Sequence, residues 1–98
     1  PVQSELTRCA QRIAQAADRD LNVAYQALLK DLRAPEDRRR LMQAQRAWLA
    51  WRDREADFLA QSVDGFGPPG SGYPMAFALR QADLARQRAE QLRRTLRE

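Results

Sequence analysis

Apolar residues recur every three or four positions along most of this chain. Across residues 4–33 they fall at Leu6, Cys9, Ile13, Ala17, Leu21, Ala24, Leu28 and Leu32. That spacing predicts one long amphipathic helix with a single buried stripe. Ser4 is placed to cap its start. Ala34-Pro35 should end it, because the residue before proline avoids the α region. Such a helix would be about 45 Å long. Pro35-Glu36-Asp37 then reads as a new helix start, with proline in the first turn and acids at the positive end of the dipole. The second helix is expected over residues 36–61, with Leu41, Ala44, Trp48, Trp51 and Phe58 as its stripe and Glu55 interrupting it. The third is expected over residues 75–97. There Ala78, Ala82, Ala85, Ala89, Leu92 and Leu96 alternate steps of four and three, a heptad seam of mostly small residues. Asp83 could cap a fresh turn, which would kink this helix within residues 80–83.

The only long break is residues 62–74, which hold all four glycines and three of the five prolines. Aliphatic β-branched residues are confined to Val2, Ile13, Val23 and Val63, which argues against a sheet. The expected fold is all-α: a three-helix antiparallel bundle or hairpin with a long first helix and a Gly/Pro-rich loop before the last. At 98 residues the chain should form one domain over 1–98. An overhanging first helix would leave an apolar face for another chain.

Charge and chemistry narrow the function. The formal net charge is +4, with 17 basic residues against 13 acids, and Lys30 is the single lysine. Arg38-Arg39-Arg40 and Arg93-Arg94 with Arg97 invite a nucleic-acid reading. The interleaved acids instead favour a solvated helix surface, so nucleic acid is not the favoured partner. There is no histidine, which removes the usual general base and the commonest metal ligand. One cysteine, Cys9, allows no intramolecular disulfide and no cysteine metal cluster, and it is expected to be a small buried hydrophobe, with a reactive or intermolecular thiol as the alternative. The carboxylate pairs Asp18/Asp53 and Asp53/Glu55 lack a nucleophile–base set around them. No catalytic residue, metal or cofactor is therefore expected. No apolar run approaches a membrane span. The residues given show no leader peptide and begin at Pro1, which reads as a processed or trimmed product.

Two constellations exceed what helix formation requires. Asp18, Asn22 and Tyr25 share one face of the first helix, and Gln45, Trp48 and Arg52 share one face of the second. Packed antiparallel, these faces would let Asp18 meet Arg52, Asn22 meet Gln45 or a backbone carbonyl, and Arg52 lie over Trp48. In full, the patterns are Cys9-Ala10, then Ala17-Asp18-x-x-Leu21-Asn22-x-x-Tyr25, then Leu41-x-x-x-Gln45-Arg46-Ala47-Trp48-x-x-x-Arg52-Asp53. Together they resemble the LprI-like lysozyme-inhibitor family of small bacterial secreted proteins and lipoproteins. The resemblance runs over roughly residues 3–92. It is weaker at the C-terminal motif, where Ala78 to Arg86 stand in for a C-L-x-x-L-T-x-x-R pattern. It implies that Ala56 and Ala78 occupy the positions of a disulfide that this chain lacks, and so should be neighbours joining helices two and three.

The resemblance implies a non-enzymatic, periplasmic or secreted cell-envelope protein that binds a lysozyme or another peptidoglycan hydrolase. A basic domain gains no long-range attraction to a basic lysozyme, so an acidic hydrolase would suit it better. The loop offers Asp64, Phe66, Ser71 and Tyr73 among its glycines and prolines. These four either form a binding tip or cover the end of the core. An anionic-polymer binder and a helical assembly module, such as a homodimer, are the competing readings.

Overall fold

The computed structural model describes residues 2–67, 70 and 72–98. Three helices carry the chain: α1 (Val2–Asp31), α2 (Pro35–Phe58) and α3 (Tyr73–Arg97). A π-helical turn, Leu59–Val63, extends α2, and no strand occurs among the described residues. The fold is all-α, as the spacing predicted. The principal extents are 50 × 21 × 17 Å, set by the length of α1.

Side-chain bonds define the directions. Gln3 meets Met75 at one level and Asp20 meets Arg93 at 3.3 Å at another, so α1 and α3 run parallel. Arg52 meets Asp18 at 2.6 Å and Arg38 donates to the Leu29 carbonyl at 2.5 Å, so α2 runs back along α1. Asp53 with Gln81 and Gln45 with Arg88, both at 3.0 Å, set α2 antiparallel to α3. The bundle is therefore up–down–up. The same register places Ala56 level with Ala78, and both are buried.

The core is an alanine seam. Ala10, Ala14, Ala17, Leu21, Ala24 and Leu28 of α1 cluster with Ala78, Ala82, Ala85, Ala89 and Leu92 of α3. Both sets step by four and three, the repeat of a left-handed coiled coil. Small side chains let the two backbones approach closely, and α1–α3 is the most intimate helix pair. From α2, Leu41 and Trp48 pack against this seam only partly buried.

Several expectations change. From Ala17 onward the stripe of α1 is the expected one, with Ala17, Leu21, Ala24 and Leu28 buried, but over its first half it is rotated by one position, so Ala10 and Ala14 are buried while Leu6 and Cys9 are exposed. There only alanine is small enough to face the alanines of α3, and the larger side chains move to the flanks. Cys9 is thus an exposed free thiol, not a core residue. On α2 the fully buried residues are Gln45, Arg52 and Ala56, while Trp51 and Phe58 are about half exposed. Ser4 lies inside α1 rather than capping it, because the helix starts at Val2. The stretch 80–83 is continuous helix with no break. Arg38 donates to the Leu29 and Leu32 carbonyls, so it satisfies the C-terminal end of α1.

Candidate functional site

The family-type constellations converge on one feature. A groove of about 240 Å³ runs between α1 and α2, lined by Asp18, Leu21, Asn22, Tyr25, Gln45 and Leu49. The four α1 residues follow the i, i+3, i+4, i+7 spacing that keeps side chains on one face. Leu21 and Gln45 are buried and form its floor, Tyr25 is half-buried, and Asp18, Asn22 and Leu49 are exposed along its rim. Leu49 was not singled out from sequence. Its signal was an apolar residue one turn beyond Gln45, off the main stripe.

Arg52 closes one end. Its side chain is 8% exposed, although it carries a full charge. The guanidinium donates to Asp18 at 2.6 Å and to Asp53 at 3.2 Å, and sits 5.5 Å from the Trp48 ring centre. The predicted Asp18–Arg52 pair and the Trp48–Arg52 contact are both present. The Asn22–Gln45 bond is not: the Gln45 side-chain oxygen accepts from Arg88 of α3 instead. Burial lowers the pKa of Arg88. Asn22 faces solvent because the groove separates it from Gln45.

The loop side chains are engaged within the chain. Asp64 takes two bonds from Arg80, at 2.6 and 3.0 Å. Tyr73 belongs to the first turn of α3, and its hydroxyl donates to Asp57, which also accepts from Gln61. Phe66 is 39% exposed and lies over Gly72, where a Cβ would come within 2.5 Å of the ring. Gly65 has φ +81°, and the Phe66 amide reaches back to the Ala60 carbonyl, a glycine-dependent helix stop. Ser71 lies outside the described residues. Arg86 is exposed, pairs with Asp83 at 3.6 Å and does not line the groove.

The arginine clusters are similarly occupied. Arg38 caps α1, Arg39 and Arg40 pair with Glu36 and Asp37, and Arg93 binds Asp20 and Glu90. Arg97 also binds Glu90. No cluster of metal-ligating side chains occurs among the described residues. No described helix is long and apolar enough to cross a membrane.

Protonation couples to the loop. The Arg80 hydrogen bond holds Asp64 below the usual carboxylate range, against a smaller opposing effect of burial. Hydrogen bonds from Tyr73 and then Gln61 do the same for Asp57. A depressed folded-state pKa stabilises above the unfolded value of about 4, and that contribution is lost as pH falls through the lower folded value. The loop is therefore expected to loosen in acid before the helices do. Protection of the Asp64 and Phe66 amides against exchange, taken relative to the intrinsic rate at each pH, should fall below about pH 4. In Arg80→Gln that acid step should be smaller, and an unchanged step would refute the link.

A comparison with protein-family models matches residues 1–92 to the family described as lysozyme inhibitor LprI. No curated protein and no solved structure matches the chain.

Proposed function

This chain belongs to the lysozyme inhibitor LprI family, and from that premise we propose that it is a non-enzymatic cell-envelope protein that blocks a lysozyme or another peptidoglycan hydrolase. The location is periplasmic or secreted on this reading, and the groove between α1 and α2 is the contact with the target. One observation carries the assignment of the surface. Five of the six groove-lining residues, Asp18, Leu21, Asn22, Tyr25 and Gln45, belong to the motif that marks the family resemblance.

The chemistry of the groove suits a protruding side chain of the target. Leu21, Tyr25 and Leu49 would pack against an aliphatic stem, and the Asp18 and Asn22 rim would take a donor at its tip. Asp18 and Asp53 are each about half exposed beside the buried Arg52. The one acid lining the groove, Asp18, stays about half exposed although it pairs with Arg52, and the whole chain carries +4. An acidic hydrolase therefore suits the whole-chain charge better than a basic one. The loop residues Asp64, Phe66 and Tyr73 support the end of α3 in this reading, and a direct contact from Phe66 is secondary.

A turbidity assay on cell walls tests both parts. The wild-type chain in molar excess should slow lysis by at least one hydrolase of a panel. Leu49→Arg, which fills the groove from an exposed position, should weaken inhibition by at least about tenfold with little change in melting temperature. A panel left wholly uninhibited would remove the inhibitor reading. Equal inhibition by Leu49→Arg would remove the groove from it.

A further inference from the structure

Two polar residues are buried among the described residues, Gln45 and Arg52. Arg52 is fully engaged by Asp18, Asp53 and the Trp48 ring. Gln45, 7% exposed, is only half satisfied. Its side-chain oxygen accepts from Arg88 Nε at 3.0 Å. Arginine can only donate, so this bond fixes which way round the amide sits, with oxygen towards α3 and nitrogen away from it. Arg88 is held in turn by a bond to Gln91 at 3.3 Å, and it meets no carboxylate among the described residues. The Gln45 Nε2 group finds no acceptor among the described residues. None of their side-chain nitrogens is both sealed from solvent and unpartnered. The nitrogen therefore opens on the space that Gln45 lines, which is the groove.

The rim carries the opposite chemistry. Asp18 gives Oδ1 to Arg52, and its Oδ2 has no partner among the described residues. A fixed donor thus lies at the floor and a free acceptor at the rim, with Leu21, Tyr25 and Leu49 as walls.

We propose that the groove selects an uncharged carboxamide on an aliphatic stem, a protruding glutamine side chain of the target, and that Arg88 sets this selectivity by holding the Gln45 nitrogen towards the groove. The selectivity rests on the groove being the contact surface. The carboxamide oxygen accepts from Gln45 Nε2 and its nitrogen donates to Asp18 Oδ2. Other tips satisfy one of the two. An ammonium satisfies Asp18 but leaves the Gln45 donor facing donors, and Arg52 already matches the Asp18 charge. A carboxylate satisfies Gln45 but meets the Asp18 charge at the rim. A polar group left unpaired in a desolvated contact weakens binding by about tenfold or more.

Butyramide, butylammonium and butyrate carry the tips of glutamine, lysine and glutamate on stems of matched length, and titrating the full chain with each tests the selectivity. In heteronuclear NMR the Leu21 and Leu49 methyl signals report occupancy, and the Gln45 NH2 signals report donation. Butyramide should saturate with a dissociation constant of about 5–50 mM and move the Gln45 NH2 signals downfield. The other two should bind at least about fivefold more weakly. Gln45→Glu keeps the shape, replaces the donor by an acceptor and gains an ion pair with Arg88. With its helicity unchanged by circular dichroism, it should prefer butylammonium to butyramide. Arg88→Met leaves the groove walls in place and frees the amide to turn. Its preference for butyramide should fall about threefold or more, a change that a purely structural role for Arg88 would not produce.

No saturable shift with butyramide up to about 200 mM overturns the proposal. So do equal affinities for the three probes, or a preference that Gln45→Glu leaves unchanged. Tighter binding of N-acetylglucosamine than of butyramide would give the groove to a glycan and overturn it equally. The selectivity and the contact surface fail separately. If Leu49→Arg abolishes inhibition while butylammonium is the probe that wild type selects, the surface stands and the carboxamide assignment falls.

Discussion

Replacing Ala85 by leucine is expected to cost about 3 kcal/mol or more and to lower the melting temperature by about 12–20 °C. Ala85 and Ala89 are 0% exposed and Ala82 is 1% exposed, in the seam where α1 and α3 approach most closely. Three added carbons cannot be housed there without parting the two backbones. Parting them would also pull Ala10, Ala14 and Ala17 out of contact with their neighbours on α3. For a domain whose total stability is of the order of 5–15 kcal/mol, that is a large fraction. Ala16→Leu is the control. Ala16 is exposed on α1, so the same added volume should change stability by no more than about 0.5 kcal/mol. Thermal melts followed by circular dichroism decide it. If the two variants melt together, the seam is not the tight contact described.

Arg52→Ala is expected to cost about 2–4 kcal/mol, near the lower end for breaking a buried ion pair. Two contributions combine. The Arg52 stem and its contact over Trp48 are lost, which opens a void between α1 and α2. Asp18 loses its partner but is half exposed and can be rehydrated, which keeps the cost from being larger. Asp18→Ala should be milder, because Arg52 retains Asp53 at 3.2 Å and the indole face. Near-ultraviolet circular dichroism should report the freed Trp48 in Arg52→Ala and not in Asp18→Ala. An Arg52→Ala chain that melts like wild type but no longer inhibits its hydrolase would make Arg52 a contact residue rather than a structural one.

Much of the candidate site was legible because it rests on local spacing. Asp18, Leu21, Asn22 and Tyr25 share a face of any helix that contains them, and so do Gln45 and Arg52. Opposite charges on two such faces predicted the Asp18–Arg52 pair. The partner of Gln45 was not legible, because Arg88 lies 43 positions away and comes from a third helix. The groove itself was hidden for the same reason. It lies between α1 and α2, and no periodicity encodes the distance between helices. The contacts of the loop were hidden for the same reason. Asp64 and Tyr73 looked free among glycines and prolines, but Arg80 and Asp57 take them up across the turn.

The sequence by itself determined the class of fold, the number and approximate limits of the helices, the heptad seam of α3, and the family. Those follow from intrahelical spacing, proline and glycine positions, and motif order. Only the tertiary structure decided which side of the first half of α1 is buried, that Cys9 is exposed, that α1 and α3 run parallel as the closest pair, and that Trp51 and Phe58 look outward. The physical reason is common to all four. Along α1, alanines and larger apolar residues sit side by side, so hydrophobicity alone marks a wide stripe. What selects within it is the volume that a neighbouring helix leaves free, and in the first half of α1 that volume takes Ala10, Ala14 and Ala17 rather than Leu6, Cys9 and Ile13.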